Sequence, residues 1–339
     1  GEKQAYPHFS LDVNDKTISG YVAMTGELVN IKDVYKIQKG APYSYNTEYD
    51  RNSGYKTTSM LTVPLKTQNG VVLGVIQIIN ALDASGKVRS FRKTDEALVT
   101  HFAANATVAL QRAYMTRSMI IRMIRMAELR DPKETGAHVN RVAGYAVEIY
   151  ERWAYNQGHD RATIDKNRDL LKLASMLHDV GKVAISDLIL KKPARFTPEE
   201  YVVMQTHTCA GARLFDDPQS DFDTVAADVA LTHHENWDGT GYPGWVDPET
   251  GASTRQDAAG VPCKRKGEEI PLYGRIVAIA DVFDALTSRR VYKDPWGEDE
   301  VLKEMRAMSG TKFDPRLVEV FFDVLPRLRE IRERYPDSD

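Results

Sequence analysis

Eight histidines occur in this chain, and five of them stand where they could meet carboxylates. His178-Asp179 closes an apolar run over residues 170–177, and His233-His234 forms a second adjacent pair. Glu134 and His138 are four apart, so on a helix they share a face. His207 stands alone in a helical stretch that begins at Thr197, and Asp281 interrupts an apolar one. Singly, each has an ordinary explanation: a buried imidazole bonded within a core, or a structural carboxylate. Together they offer imidazoles and carboxylates without thiolates, a donor set that suits iron or manganese and can suit zinc. Two or three ions sharing carboxylates form the clamp needed for in-line displacement at a phosphate.

The elements that must position these residues are mostly helices. After Asp131-Pro132 the pattern is helical almost throughout. Thr197-Pro198-Glu199-Glu200 has a cap, a first-turn Pro and a reciprocal Glu, which predicts a helix start. Residues 239–267 are rich in Gly, Pro and charge and read as loop, and Pro271 opens the next helix. Upstream lies a different texture. Residues 59–65 and 71–79 are β-prone, and Gln68-Asn69-Gly70 between them predicts a hairpin. Residues 18–25 read as a short helix capped by Ser19 and ended by Gly26. Between the two textures, Phe102, Ala106, Ala109, Ala113, Thr116, Ile120, Met123 and Ala127 alternate spacings of four and three, the repeat of a coiled-coil seam. We therefore expect a dimer through a linker helix over residues 94–127.

Bulk properties narrow the function classes. The chain has 339 residues, enough for about two domains. Its 45 basic and 48 acidic residues nearly cancel, which argues against a binder of long nucleic acid. No apolar run approaches the roughly 20 residues of a membrane span, and no secretory pattern opens the sequence. Two cysteines, Cys209 and Cys263, fit a reduced, cytoplasmic protein.

The ordered motifs carry a resemblance. His178-Asp179-Val180-Gly181-Lys182 matches HD-x-G-K. His233-His234-Glu235 followed by Asp238-Gly239-Thr240-Gly241-Tyr242-Pro243 matches HHE…DGxGYP. Residues 280–287 match ADVFDALT, and Phe313-Asp314-Pro315 a late FDP. Over residues 127–334 the chain thus resembles the HD-GYP branch of the HD phosphohydrolases. The resemblance implies a helical bundle that hydrolyses cyclic dinucleotides, chiefly cyclic di-GMP, to linear pGpG and then GMP. It places metal ligands on His138, His178, Asp179, His207, His233, His234 and Asp281, with Asp179 bridging two ions. Glu134 matches an extra carboxylate of trinuclear members, so two or three divalent ions are expected, iron before manganese. A metal-bridging hydroxide would attack phosphorus. Lys182 would donate to the phosphate or leaving group, Arg290 and Lys293 would contact phosphate, and Tyr242 would pack on substrate. Glu235 and Asp238 would hold the GYP loop, with Arg275 and Asp284 as outer supports. The loop between Gly244 and Pro271 is longer than in the shortest members, which leaves open the choice between cyclic di-GMP and 3′3′-cyclic GMP-AMP.

Residues 18–26, 59–65 and 74–80 look like the second half of a GAF sensor domain whose opening helix and strand are missing; its ligand is unknown. The expected layout is an α/β GAF-like domain over residues 1–93, the linker helix, and an all-α HD-GYP domain over 128–335. The rival readings are a catalytically weak cyclic di-GMP sensor that docks GGDEF-domain proteins, and an HD hydrolase of another nucleotide.

Overall fold

In the computed structural model, the structure describes residues 14, 16–130, 136–288 and 297–337. The chain divides into two compact units, Gly1–Met119 and Ile120–Asp339.

The first unit is built on a hairpin. Strand β1 (Val29–Ile31) follows helix α1 (Ile18–Thr25), and a short helix α2 (Glu48–Ser53) precedes β2 (Met60–Lys66) and β3 (Val72–Ile79). The order is β1-β2-β3, all antiparallel, with Val63 opposite Ile76. Gly70, at φ 84°, makes the turn that the Asn-Gly pair predicts. Gly26 ends α1 at φ 65°, its N–H bonded to the Val22 carbonyl. The cap of α1 is Thr17 rather than Ser19. Thr17 has extended backbone, and its hydroxyl accepts from the Gly20 N–H at 3.0 Å, while Ser19 is already inside the helix. Side chains alternate along β2. Leu61, Val63 and Leu65 pack on Val99 and Ala103, and Met60 joins Ile18, Val22, Val29 and Ile31. A two-stranded pair, β4 (Ala81–Leu82) and β5 (Val88–Arg89), leads into α3 (Lys93–Arg130).

Helix α3 shares part of the expected seam with the chain's own cores. In the first unit, Ala106 packs behind Val99 and Ala103. In the second, Ile120 and Ala127 pack around Ile124, which shares a cluster with Val139, Leu177 and Val180. Three of the seam residues are thus used by the chain's own cores, because a 3.5-residue repeat does not say which apolar surface it meets. Phe102, Met119, Met123 and Met126 stay exposed. At the end of the helix, Arg130 donates to the carbonyls of Val183 and Ile185.

The second unit is helical: α4 (Gly136–Asn156), α5 (Arg161–Ser175), α6 (Asp187–Leu190), α7 (Pro198–Gln205), α8 (His207–Arg213), α9 (Asp221–Thr232), α10 (Leu272–Thr287), α11 (Glu298–Ala307) and α12 (Pro315–Arg334). Its core follows helical spacing: Val142, Ala146 and Ile149 on α4, Ile276, Ile279 and Phe283 on α10, and Leu317, Phe321, Val324 and Leu328 on α12. The capping box at Thr197 forms in both directions. Among the described residues, no helix is long and apolar enough to cross a membrane.

Candidate metal centre

Each histidine reaches the centre from the end or first turn of a helix. After α5 the backbone tightens into a 3₁₀ turn over Val180–Ala184. Three residues per turn bring Lys182 over Asp179, with Nζ 2.7 Å from Oδ2. A glycine is required at 181, where a Cβ would sit 1.9 Å from the His207 carbonyl oxygen. His207 opens α8 instead of continuing the helix from Thr197, which ends at Gln205. His233 caps α9 at its C-terminus, His138 lies in the first turn of α4, and Asp281 lies in α10.

Seven of the expected ligands come together in two groups. Asp179, His207, His233 and His234 form one; His138, His178 and Asp281 form the other. Within each, the ligand atoms lie within 4.8 Å of one another. Neighbours in sequence part company here, because His178 joins one group and Asp179 the other. Asp179 nonetheless faces both: Oδ1 is 3.1 Å from His207 Nε2 and 3.6 Å from His233 Nε2, while Oδ2 is 3.3 Å from His178 Nε2. Glu134, Arg290 and Lys293 lie outside the described residues.

The imidazoles are oriented from behind. Nδ1 of His178 meets the Ser175 carbonyl at 2.8 Å, that of His207 the Met204 carbonyl at 2.6 Å, and that of His233 the Val229 carbonyl at 3.0 Å. A carbonyl can only accept, so each ring carries its proton on Nδ1 and turns the Nε2 lone pair inward. His138 Nδ1 meets Asp284 Oδ2 at 2.8 Å. This backing by carbonyls and a carboxylate is how proteins hold metal-binding histidines. Asp179 Oδ1, His207 Nε2 and His233 Nε2 are buried without a well-formed hydrogen bond. Buried polar atoms are rarely left so, and here they converge, which fits a cation between them.

The protonation states suit ligation. Burial disfavours the Asp179 carboxylate, but the cationic surroundings, led by Lys182, outweigh it and hold the carboxyl well below its usual range. Burial and the neighbouring His233 push the His234 imidazole well down. Burial likewise lowers His233. An anionic Asp and neutral imidazoles need shed no side-chain proton to bind a cation.

One supporting residue, Arg141, escaped the sequence reading; its partner Asp284 was expected as an outer support. Arg141 is buried, and its Nε and Nη2 reach Asp284 at 2.5 and 2.9 Å. Asp284 is fully buried, and His138 and Arg141 together overcome that burial to keep its carboxyl low. The available signal was spacing: Arg141 is three residues after His138, and Asp284 three after Asp281. Arg275 instead ties α10 to the start of α12, through Asp314 at 2.5 Å.

The loop after His234 borders the first group. Tyr242 stands with its ring centroid 4.9 Å from that of His234, tilted by 31°, and burial raises its hydroxyl pKa far above the usual value. Glu235, 2% exposed, accepts the Gly244 N–H at 2.6 Å. Asp238 accepts from Thr240 backbone and hydroxyl.

Residues 135–286 match the HD domain family, and residues 3–110 match the GAF domain family. The chain carries a GAF domain followed by an HD domain. Among curated relatives, a 3′3′-cGAMP-specific phosphodiesterase of Vibrio cholerae is 38% identical over 222 residues, 66% of this chain and 37% of the relative. A cyclic di-GMP phosphodiesterase of Vibrio cholerae is 37% identical, covering 65% of this chain and 42% of that protein. A cyclic di-GMP phosphodiesterase of Thermotoga maritima is 36% identical, covering 63% and 50%. The chain therefore spans half or less of the length of these relatives.

Proposed function

We propose that this protein is a metal-dependent phosphodiesterase that opens a cyclic dinucleotide, with cyclic di-GMP as its substrate and linear pGpG, then GMP, as products. The carrying observation is the position of Asp179 between two groups of inward-facing imidazoles, one oxygen towards each. Kinship to phosphodiesterases named for both cyclic di-GMP and 3′3′-cGAMP supports the reaction class.

In this reading His207, His233 and His234 would hold one divalent ion and His138, His178 and Asp281 another, with Asp179 contributing an oxygen towards each group. Glu134 would add a ligand for a third ion. Iron is the first choice and manganese the second, as the resemblance implies, and a donor set of nitrogen and oxygen alone suits both. Bound there, such ions supply Lewis acidity towards phosphoryl oxygens and acidify coordinated water. The chain's own residues do the rest. The carbonyls behind the three imidazoles fix their tautomers, so no ring must rotate to bind. Lys182, held against Asp179, is a cation beside the bridge, placed to meet phosphate oxygens. Tyr242 offers an aromatic face at the mouth of the first group, and Arg290 and Lys293 would add phosphate contacts.

Two free cysteines support a reducing, cytoplasmic setting. The exposed Phe102, Met119, Met123 and Met126 support a homodimer along α3, and the GAF domain would regulate turnover. Protein purified anaerobically and loaded with iron or manganese should linearise cyclic di-GMP, with 3′3′-cyclic GMP-AMP as the competing substrate, read by product chromatography. Absence of turnover of either would overturn the proposal.

A further inference from the structure

The segment between Gly244 and Pro271 belongs to none of the ligand groups, yet it is folded tightly onto the loop that borders them. It runs out and back as two small turns. Val246 bridges Ser253 and Gln256 bridges Pro262, both antiparallel. Asp247 and Asp257 close the turns by accepting backbone N–H groups: those of Glu249 and Thr250, and those of Ala259 and Val261. The Trp245 N–H bonds to the Cys263 carbonyl at 3.2 Å, which brings the returning strand alongside Gly244. The fit is close. At Gly244, φ is 90° and a Cβ would lie 2.8 Å from the Cys263 carbonyl oxygen.

Arg265 sits where the two strands meet. Its guanidinium lies 3.9 Å from the Trp245 ring centroid, and Arg255 approaches the same ring at 5.4 Å. Its Nε donates to the Gly244 carbonyl at 3.3 Å. The Gly244 N–H is held by buried Glu235, the residue directly after His234. The backbone at Gly244 is thus gripped at both its polar groups, by Glu235 at the N–H and Arg265 at the carbonyl. Two residues earlier in the same loop stands Tyr242, whose own N–H bonds to the His234 carbonyl.

We propose that residues 244–269 form a clasp and that Arg265, stacked on Trp245, is a positioning residue that holds Tyr242 in place for the substrate. The proposal rests on the phosphodiesterase reading for its kinetic consequence, but not for its structural one. A planar guanidinium can stack on an indole while donating in its own plane, and an ammonium cannot do both in that geometry. A longer loop of this kind would tune how the substrate is gripped and leave the ions alone, since no residue of the clasp is among their ligands.

Three variants test this: Arg265→Ala, Arg265→Lys and Trp245→Leu, each compared with the parent protein. Two readouts are taken, hydrogen exchange at the Gly244 and Tyr242 amides, and steady-state kinetics of the metal-loaded protein on cyclic di-GMP with metal content measured in parallel. Arg265→Ala should speed exchange at the Gly244 amide about tenfold and raise KM about tenfold, with kcat changed less than threefold and metal content intact. Arg265→Lys should recover part of the loss, and Trp245→Leu should reproduce most of it. Unchanged exchange at Gly244 would overturn the clasp. So would a loss of kcat and metal at constant KM, which would make Arg265 a support of the metal centre. If the parent protein turns over no cyclic dinucleotide, the enzymatic reading fails, while exchange still decides whether the clasp exists.

Discussion

The two units use buried polar groups in opposite ways. In the sheet unit they finish the backbone. Asn80, 8% exposed, accepts from the Thr58 N–H and donates to the Lys56 carbonyl, and Ser59 accepts from the Ala81 N–H. Each is spent on holding the chain where it turns out of the sheet. In the helical unit, the backbone satisfies the rear of the His178, His207 and His233 imidazoles. The front nitrogens of His207 and His233 and one oxygen of Asp179 are left to meet one another. Burying polar atoms without a partner costs free energy, so polarity of the first kind belongs to stability and polarity of the second kind belongs to a ligand.

Substitutions should separate the two uses. The largest effect is expected at Asp179. Asp179→Ala should lower phosphodiesterase turnover by about 1000-fold or more, since each tenfold is only ~1.4 kcal/mol of barrier and both ion sites lose a shared oxygen. Its circular dichroism should stay native, because no helix depends on that carboxylate. A variant that binds metal and turns over normally would break the comparison. Asp284→Ala should act on both sides of the divide. It should cost roughly 10–100-fold in metal affinity by freeing the His138 ring, and about 1.5–3 kcal/mol in stability by removing the charged hydrogen bonds of buried Arg141 to Asp284, since Arg141 keeps Asp337, the Tyr335 carbonyl and Ser288. Metal titration and urea unfolding read the two separately. Asn80→Ala should cost about 1–3 kcal/mol through its two lost bonds. Added strain is expected, because Asn tolerates the φ of 55° at this position better than Ala does. Metal content should not move; if it did, the sheet unit's polarity would not be purely structural. The smallest effect is expected at Thr197→Ala, about 1 kcal/mol from loss of the cap, seen as a lower melting temperature of the second unit with metal stoichiometry unchanged.

Features written in adjacent residues were legible in the sequence. The Asn-Gly turn before β3, the glycine stop after α1 and the capping box at Thr197 all depend on contacts within a few positions. The candidate ligands were legible for a different reason: the ordered HD, HHE and GYP motifs resemble those of a known family, and that resemblance placed them. What escaped involves partners distant in sequence. Arg141 and Asp284 are 143 positions apart, and the helical spacing that sets each beside a candidate ligand does not pair the two with one another. The stacking of Arg265 on Trp245 appears only once the chain has looped back. The second use of the α3 seam was equally hidden, because Ile120 and Ala127 answer to apolar neighbours far along the chain, among them Leu177 and Val180.

That last feature matters at the bench. Ile124 is 3% exposed, and it is a wall of the same apolar cluster that holds Leu177 and Val180, next to His178 and Asp179. Arg130, a turn and a half further on, caps two carbonyls of the stretch after the HD pair. A dissected catalytic fragment that starts at the first residue of α4 would discard both. It would open a greasy slot beside the ligands and should be prone to aggregate. The cut that preserves the domain falls before Ile120, inside what looks on paper like an uninterrupted connecting rod.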